Sequence, residues 1–112
     1  MELDLQSSAG TSILVVSGRV SAEMAATLKD RLYAELSEHR YALLLDLSRV
    51  EFMGSAGLGA LIAAVKEARS HGGELVIAAP SGVVQTLLNV SGLLDFVRHA
   101  HTIEAAAELL QA

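Results

Sequence analysis

The chain alternates short runs of consecutive apolar residues with longer stretches in which apolar residues recur every three or four positions. A strand that helices cover on both faces is apolar throughout, so the runs around Ile13, Leu44 and Val76 predict three buried strands. Residues 9–10, Ala-Gly, predict a turn after an edge strand. The predicted strands are residues 3–6, 11–17, 41–47, 75–79 and 96–98.

The stretches with helical spacing predict four helices. In the first, Met24 is followed at intervals of four by Leu28, Leu32 and Leu36, which mark one buried face. Serine and threonine are favoured helix N-caps, and glycine favours the residue after a helix. The predicted helices follow Ser21, open at Ser55, follow Ser81 and follow Thr102, and the second and third end at residues 71–73 and at Gly92.

The resulting order is β-β-α-β-α-β-α-β-α. Strands that alternate with helices form parallel sheets, whereas the first two strands are close enough in sequence to pair as a hairpin. The pattern therefore predicts an α/β fold with a mostly parallel sheet of about five strands, an antiparallel first strand and four helices. A length of 112 residues suits a single domain over residues 1–112.

Composition excludes several classes of function. The formal net charge is −5 and the eight Lys and Arg residues are scattered, so nucleic acid is not an expected partner. Without cysteine the chain has no disulfides or thiolate metal sites, which agrees with a cytoplasmic location. The N-terminus does not resemble a signal peptide, and the apolar runs are too short for direct membrane insertion.

Ser55 is the most informative residue, because it opens a helix after a buried strand and a short loop. A helix N-terminus presents free backbone N–H groups and a positive field, which favour a phosphate on the side chain or from a ligand. The alternative is an N-cap that satisfies one backbone donor. Gly57 and Gly59 in the first turns indicate that another surface or a strand approaches the helix closely.

Enzyme motifs do not fit this segment. A phosphate-binding loop needs Lys and Ser/Thr after the second glycine, but Ala60 follows Gly59. The dinucleotide fingerprint would place a small residue at Ile62, and a nucleophile elbow would need glycine at Met53. His99 and His101 could share a weak metal site, although no third ligand is evident.

Residues 46–59, Asp-Leu-Ser-Arg-Val-Glu-Phe-Met-Gly-Ser-Ala-Gly-Leu-Gly, resemble the signature of STAS-domain proteins, specifically the bacterial anti-sigma factor antagonists. The similarity continues through residues 72–76, the Pro80-Ser81 helix start and residues 87–93. It covers essentially the whole chain and implies the STAS (SpoIIAA-like) fold.

The resemblance implies a partner switch in transcription. The unmodified antagonist would bind an anti-sigma factor with serine-kinase activity and so release a sigma factor. The kinase would phosphorylate Ser55, which would dissolve the complex, and a serine phosphatase would reset it. No catalysis and no cofactor are expected of this chain, because ATP and magnesium belong to the kinase.

The expected phosphorylation site is Ser55, and the loop at residues 18–21 should lie beside it, since both follow the carboxyl ends of strands. Three residues depart from the family pattern: Gly54 and Ser21 replace acidic residues, and Ala56 replaces Ser or Thr. Met53 is a contact or a core residue. The expected partner-binding residues are Gly18, Arg19, Ser21, Met53, Gly54, Ser55, Ala56, Gly57 and Leu58.

Other roles share the same residues. The segment Ser55-Ala56-Gly57-Leu58 also resembles STAS accessory subunits of membrane transporters, such as phospholipid ABC complexes. Gly59 and the Phe52-Met53 pair favour the antagonist. A stressosome-type scaffold and a nucleotide-binding module are further alternatives.

Overall fold

The computed structural model describes residues 1–8 and 10–111 of the 112-residue chain. Ala9, in the predicted turn, lies outside these residues, whereas Gly10 has a φ of 81° that suits glycine in a turn. In chain order the elements are β1 (Glu2–Ser8), β2 (Thr11–Val20), α1 (Ala22–Glu38), β3 (Ala42–Met53), α2 (Ser55–Ser70), β4 (Glu74–Ala78), α3 (Gly82–Ser91), α4 (Leu93–Phe96), β5 (His99–Ala100) and α5 (Ile103–Gln111).

The strands form one mixed sheet in the order β1-β2-β3-β4-β5. β1 pairs antiparallel with β2, and the other neighbours pair in parallel. Ile13, Leu44 and Val76 lie side by side across the centre, and all three are buried. The α/β class and the antiparallel first strand are therefore confirmed.

The sheet separates two apolar cores of unequal size. On one face α1, α2 and α3 cover the larger core, in which Leu28, Leu61 and Leu88 are fully buried. On the other face α5 packs through Ala106 against a smaller core that includes Ile13 and Val76. Because burying a leucine side chain contributes roughly 1.5–3 kcal/mol, the larger core supplies most of the hydrophobic stabilisation.

The strands that lead to Ser55 are longer than predicted. Gly18 was expected in a loop but pairs with Val50 within the sheet, and β3 continues to Met53 rather than ending at Leu47. Two register shifts, between Val15 and Ser17 and between Gly18 and Arg19, allow the pairing to continue. Such irregularities break the two-residue alternation, so the sequence pattern does not reveal the strand ends.

The segment after α3 also differs from the prediction, because it contains a short helix that the sequence did not predict. Gly92 adopts a left-handed φ of 78° and ends α3, and the short α4 begins at the next residue. Phe96 belongs to this helix instead of a strand, and the last strand lies at His99–Ala100. A left-handed glycine reverses the chain direction and leaves room for the extra turn.

Three predicted helix caps have different outcomes. The Ser81 hydroxyl accepts from the Val84 amide at 3.4 Å, and the Thr102 hydroxyl accepts from the Ala105 amide at 3.0 Å. Both are capping bonds of the expected kind. Ser21 occupies the N-cap position of α1, but its side chain makes no capping hydrogen bond.

Candidate functional site

The candidate site lies where β2 and β3 end. Because the two strands are parallel, their carboxyl ends meet at the same edge of the sheet, and the Gly54 amide donates to the Val20 carbonyl at 3.1 Å. α1 begins at Ala22 and α2 at Ser55, directly after these ends. Two helix N-termini and their positive fields therefore face the same edge.

Ser55 is the first residue of α2 rather than its N-cap. The cap is Gly54, which has extended backbone angles and no side chain to offer, and its carbonyl accepts the first helical bond from the Leu58 amide at 3.1 Å. Ser55 is exposed. The capping interpretation of Ser55 is thus wrong, and its hydroxyl lies at the surface beside backbone amides that lack helical partners.

Gly57 allows α2 to rest directly on the strand ends. A Cβ atom at this position would lie 2.9 Å from Met53 Cγ and 2.9 Å from Val20 Cγ1. Both neighbours belong to the larger core, and Met53 is only 4% exposed. The close approach predicted for Gly57 is therefore real, and the Met53 side chain packs beneath the helix instead of facing a partner.

Gly59 has no such constraint, because a Cβ there would meet nothing within 4 Å. It lines a shallow groove of about 290 Å³ between α1 and α2, next to the exposed Ala56. The groove is lined almost wholly by small residues, which are Ala25, Ala26, Ala56, Gly59, Ala60 and Ala63, together with Lys29. Leu58, on another side of the helix, is half-buried against the larger core.

Arg19 and Phe52 form a stacked pair beside the start of α2. The residues are neighbours on β2 and β3, and the guanidinium carbon lies 4.6 Å from the ring centroid. Phe52 is 37% exposed, and its ring lies 3.8 Å from where a Cβ of Gly54 would be. The pair therefore borders the segment that carries Ser55.

Sequence reasoning named Arg19 as a contact but missed Phe52 as a surface residue. Phe52 follows the exposed Glu51 and precedes the buried Met53, so strict alternation is absent at this point. The register shift between Gly18 and Arg19 accompanies this outward turn of the ring. The motif alone therefore did not reveal that this aromatic side chain faces solvent.

Acidic side chains are few at the starts of the two helices. The first turn of α2 contains no acidic residue, whereas α1 has Glu23 in its first turn. Gly54 and Ser21, which stand where the resemblance expects acids, are both half-buried and uncharged. The field of the helix N-terminus is consequently not neutralised by a carboxylate in the first turn of α2.

Alternative chemistry finds little support elsewhere in the described part of the chain. Within residues 1–8 and 10–111 there is no group of three His, Cys, Asp or Glu side chains arranged to hold a metal. His99 instead places its Nδ1 atom 3.1 Å from the Val97 carbonyl. In the same residues, no helix has the length and apolar character needed to cross a membrane.

Comparison with known proteins decides the family. The family model for the STAS domain matches residues 2–106. The chain belongs to the STAS domain family. The prediction of this family from residues 46–59 is therefore confirmed.

Two curated relatives match most of the chain. BtrV of Bordetella bronchiseptica is 31% identical over 107 residues, which cover 96% of this STAS chain and 92% of that protein. The anti-sigma-F factor antagonist RsfB of Mycobacterium tuberculosis is 30% identical over 97 residues, which cover 87% and 79% of the two chains.

A solved structure supports the fold independently. The unphosphorylated form of the anti-sigma factor antagonist SpoIIAA superposes with a TM-score of 0.79 over 98% of this chain and 96% of that one. The two sequences are 19% identical, so the likeness concerns the fold. The expected SpoIIAA-like fold is confirmed, and α4 is a helix that the sequence did not predict.

Proposed function

We propose that this STAS protein is an anti-sigma factor antagonist, a regulatory binding module without catalytic activity of its own. The name of RsfB, at 30% identity, supports this general role. The arrangement at the sheet edge supports the place of binding. The exposed Ser55 is preceded by Gly54, which the Phe52 ring approaches, and is followed by the exposed Ala56, which lines the α1–α2 groove. The partner would be an anti-sigma factor in the cytoplasm.

Ser55 would act as the switch. The single observation that carries this proposal is that Ser55 is exposed at the first position of α2, a helix whose N-terminus has no side-chain cap. A phosphate there would add about −1.5 to −2 charges at pH 7. Free amides of the first helical turn can bind a phosphate with little rearrangement, whereas a partner surface shaped for a neutral hydroxyl would be repelled.

The enzymes of the switch would be partners, not parts of this chain. A serine kinase, supplied by the anti-sigma factor, would transfer the phosphate from ATP, and a serine phosphatase would remove it. Gly54 and Ser21 supply no carboxylates that would repel a phosphorylated Ser55. The kinase would also find no carboxylate at these two positions. It would therefore bind backbone groups of this segment and neighbouring side chains such as Arg19.

A comparison of three purified baits tests the proposal. Wild-type protein, Ser55→Glu and the control Ser37→Glu, on an exposed position of α1, are used to capture partners from native lysate. We expect wild type and Ser37→Glu to retain a serine-kinase anti-sigma factor, and Ser55→Glu to lose about 100-fold or more in affinity, because like charges in an interface cost several kcal/mol.

The binding constants are then measured with the purified partner by calorimetry. Equal affinities of wild type and Ser55→Glu would overturn the switch, although they would leave the antagonist role intact. Capture of a transporter ATPase by all three baits would overturn both the switch and the antagonist role, and it would favour the transporter-subunit alternative.

A further inference from the structure

Among the described residues, 1–8 and 10–111, no carboxylate forms an ion pair with Arg19. In that part of the chain, ion pairs join Arg31 and Arg69 to glutamates, and His39 and His71 each lie 3.4 Å from a glutamate oxygen. Arg19 takes part in none of these contacts. Its guanidinium instead lies over the Phe52 ring, with the guanidinium carbon 4.6 Å from the ring centroid. Both side chains are exposed, so the charge remains available to an incoming anion.

A short series of contacts connects this guanidinium to Ser55. The Phe52 ring reaches within 3.8 Å of the position that a Gly54 Cβ would occupy. Gly54 is bound through its amide to the Val20 carbonyl, which follows Arg19 directly. Arg19 and Ser55 are therefore each one residue removed from the same 3.1 Å hydrogen bond.

The chemistry favours transfer of the guanidinium from the ring to a phosphate. An exposed cation–π contact is weak, whereas a guanidinium can donate two parallel N–H bonds to phosphate oxygens. Arginine is long and flexible enough to move between neighbouring positions at a strand end, and the planar guanidinium matches phosphate geometry. Phe52 holds the group in place without neutralising its charge.

We propose that Arg19 is the internal counter-ion of a phosphate on Ser55, and that Phe52 holds its guanidinium within reach until the phosphate is present. This inference rests on the proposed phosphorylation of Ser55. Phosphorylation then changes the docking surface twice, because it adds negative charge at Ser55 and withdraws the positive charge of Arg19 from the partner.

Phosphoserine incorporated at position 55 during translation allows the test without a kinase or a partner. The second ionisation of the phosphate is followed by ³¹P NMR titration in the wild-type background, in Arg19→Gln and in Arg49→Gln. Arg49 is a matched control, because it is exposed on the adjacent strand and its removal also lowers the net charge by one unit. The other charged groups on the elements that border Ser55, including Glu23 and Glu51, are the same in all three proteins.

We expect the phosphate pKa to rise by about half a unit or more in Arg19→Gln, since a cation in contact favours the dianion. Arg49→Gln should produce a clearly smaller rise. Equal titration curves for Arg19→Gln and wild type, or equal shifts in the two variants, would overturn the proposal.

A second measurement separates this contact from a merely structural role of Arg19. The melting temperature is compared for Arg19→Gln and its parent, with and without phosphate on Ser55. We expect Arg19→Gln to lower the melting temperature more in the phosphorylated protein, and an equal change in both forms would contradict the counter-ion. Partner affinity is not read in either experiment, so failure here is distinguishable from failure of the antagonist role.

Discussion

At the scale of single residues, Gly57 determines how closely α2 approaches the ends of β2 and β3. The two side chains nearest to it, Met53 and Val20, belong to the larger core and are almost completely buried. This packing also fixes the position of Ser55, because Ser55 lies in the same first turn of α2. Any displacement of this turn would move the hydroxyl relative to Arg19 and Phe52.

The paired substitutions Gly57→Ala and Gly59→Ala test this packing. The new methyl group at position 57 would lie 2.9 Å from Val20 Cγ1, and this buried, β-branched side chain has little room to move. We expect Gly57→Ala to lower the free energy of unfolding by about 1–3 kcal/mol, measured by urea denaturation.

Gly59→Ala is the control, since a methyl group there meets nothing within 4 Å. Alanine is favoured over glycine in a helix interior by up to about 1 kcal/mol, so this variant should be slightly more stable than wild type. If the Gly57→Ala protein is as stable as the Gly59→Ala protein, the side chains of Met53 and Val20 can move to accommodate the methyl group, and the packing argument is wrong.

At the scale of elements, the long helices were predictable and the strand ends were not. The buried leucines of α1 and the cap of α3 follow regular rules of spacing and capping, so residues such as Leu28 and Ser81 were placed correctly. The ends of β2 and β3 depend on register shifts that local sequence does not encode. For this reason the outward position of Phe52 was missed, whereas the helix start predicted at Ser55 is confirmed, with Gly54 as its N-cap.

Ser81 joins α3 to β3 as well as capping the helix. Its hydroxyl accepts from the Val84 amide and also donates to the Val50 carbonyl at 2.7 Å, near the end of the strand that leads to Ser55. We expect Ser81→Ala to lower the free energy of unfolding by about 1.5–2.5 kcal/mol, because both a cap and a tertiary hydrogen bond are lost.

Thr102→Ala is the matched control, because the Thr102 hydroxyl accepts the capping bond from the Ala105 amide. Loss of a cap alone costs about 1 kcal/mol. If thermal or urea denaturation gives the same loss for Ser81→Ala and Thr102→Ala, the bond to Val50 contributes nothing measurable to stability.

At the scale of the whole molecule, the two faces of the sheet carry apolar cores of different size. The helices α1 and α2, which border the proposed docking surface, cover the larger core, whereas α5 covers the smaller core on the opposite face. A small apolar contact area gives a low free energy of local opening. We therefore expect α5 to open separately from the face that carries Ser55.

The variants Ala106→Glu and Ala105→Glu test this independence by hydrogen exchange. Ala106 is fully buried in the smaller core, whereas its neighbour Ala105 is exposed on the same helix. A buried charge at position 106 cannot be accommodated without detaching the helix, so the amides of residues 103–111 should lose protection in Ala106→Glu alone. The amides of α1 and α2 should remain protected, and binding of the anti-sigma partner should be unchanged. Equal loss of protection in α2 would show instead that the two cores unfold as one cooperative unit, and α5 would then contribute to the stability of the Ser55 surface.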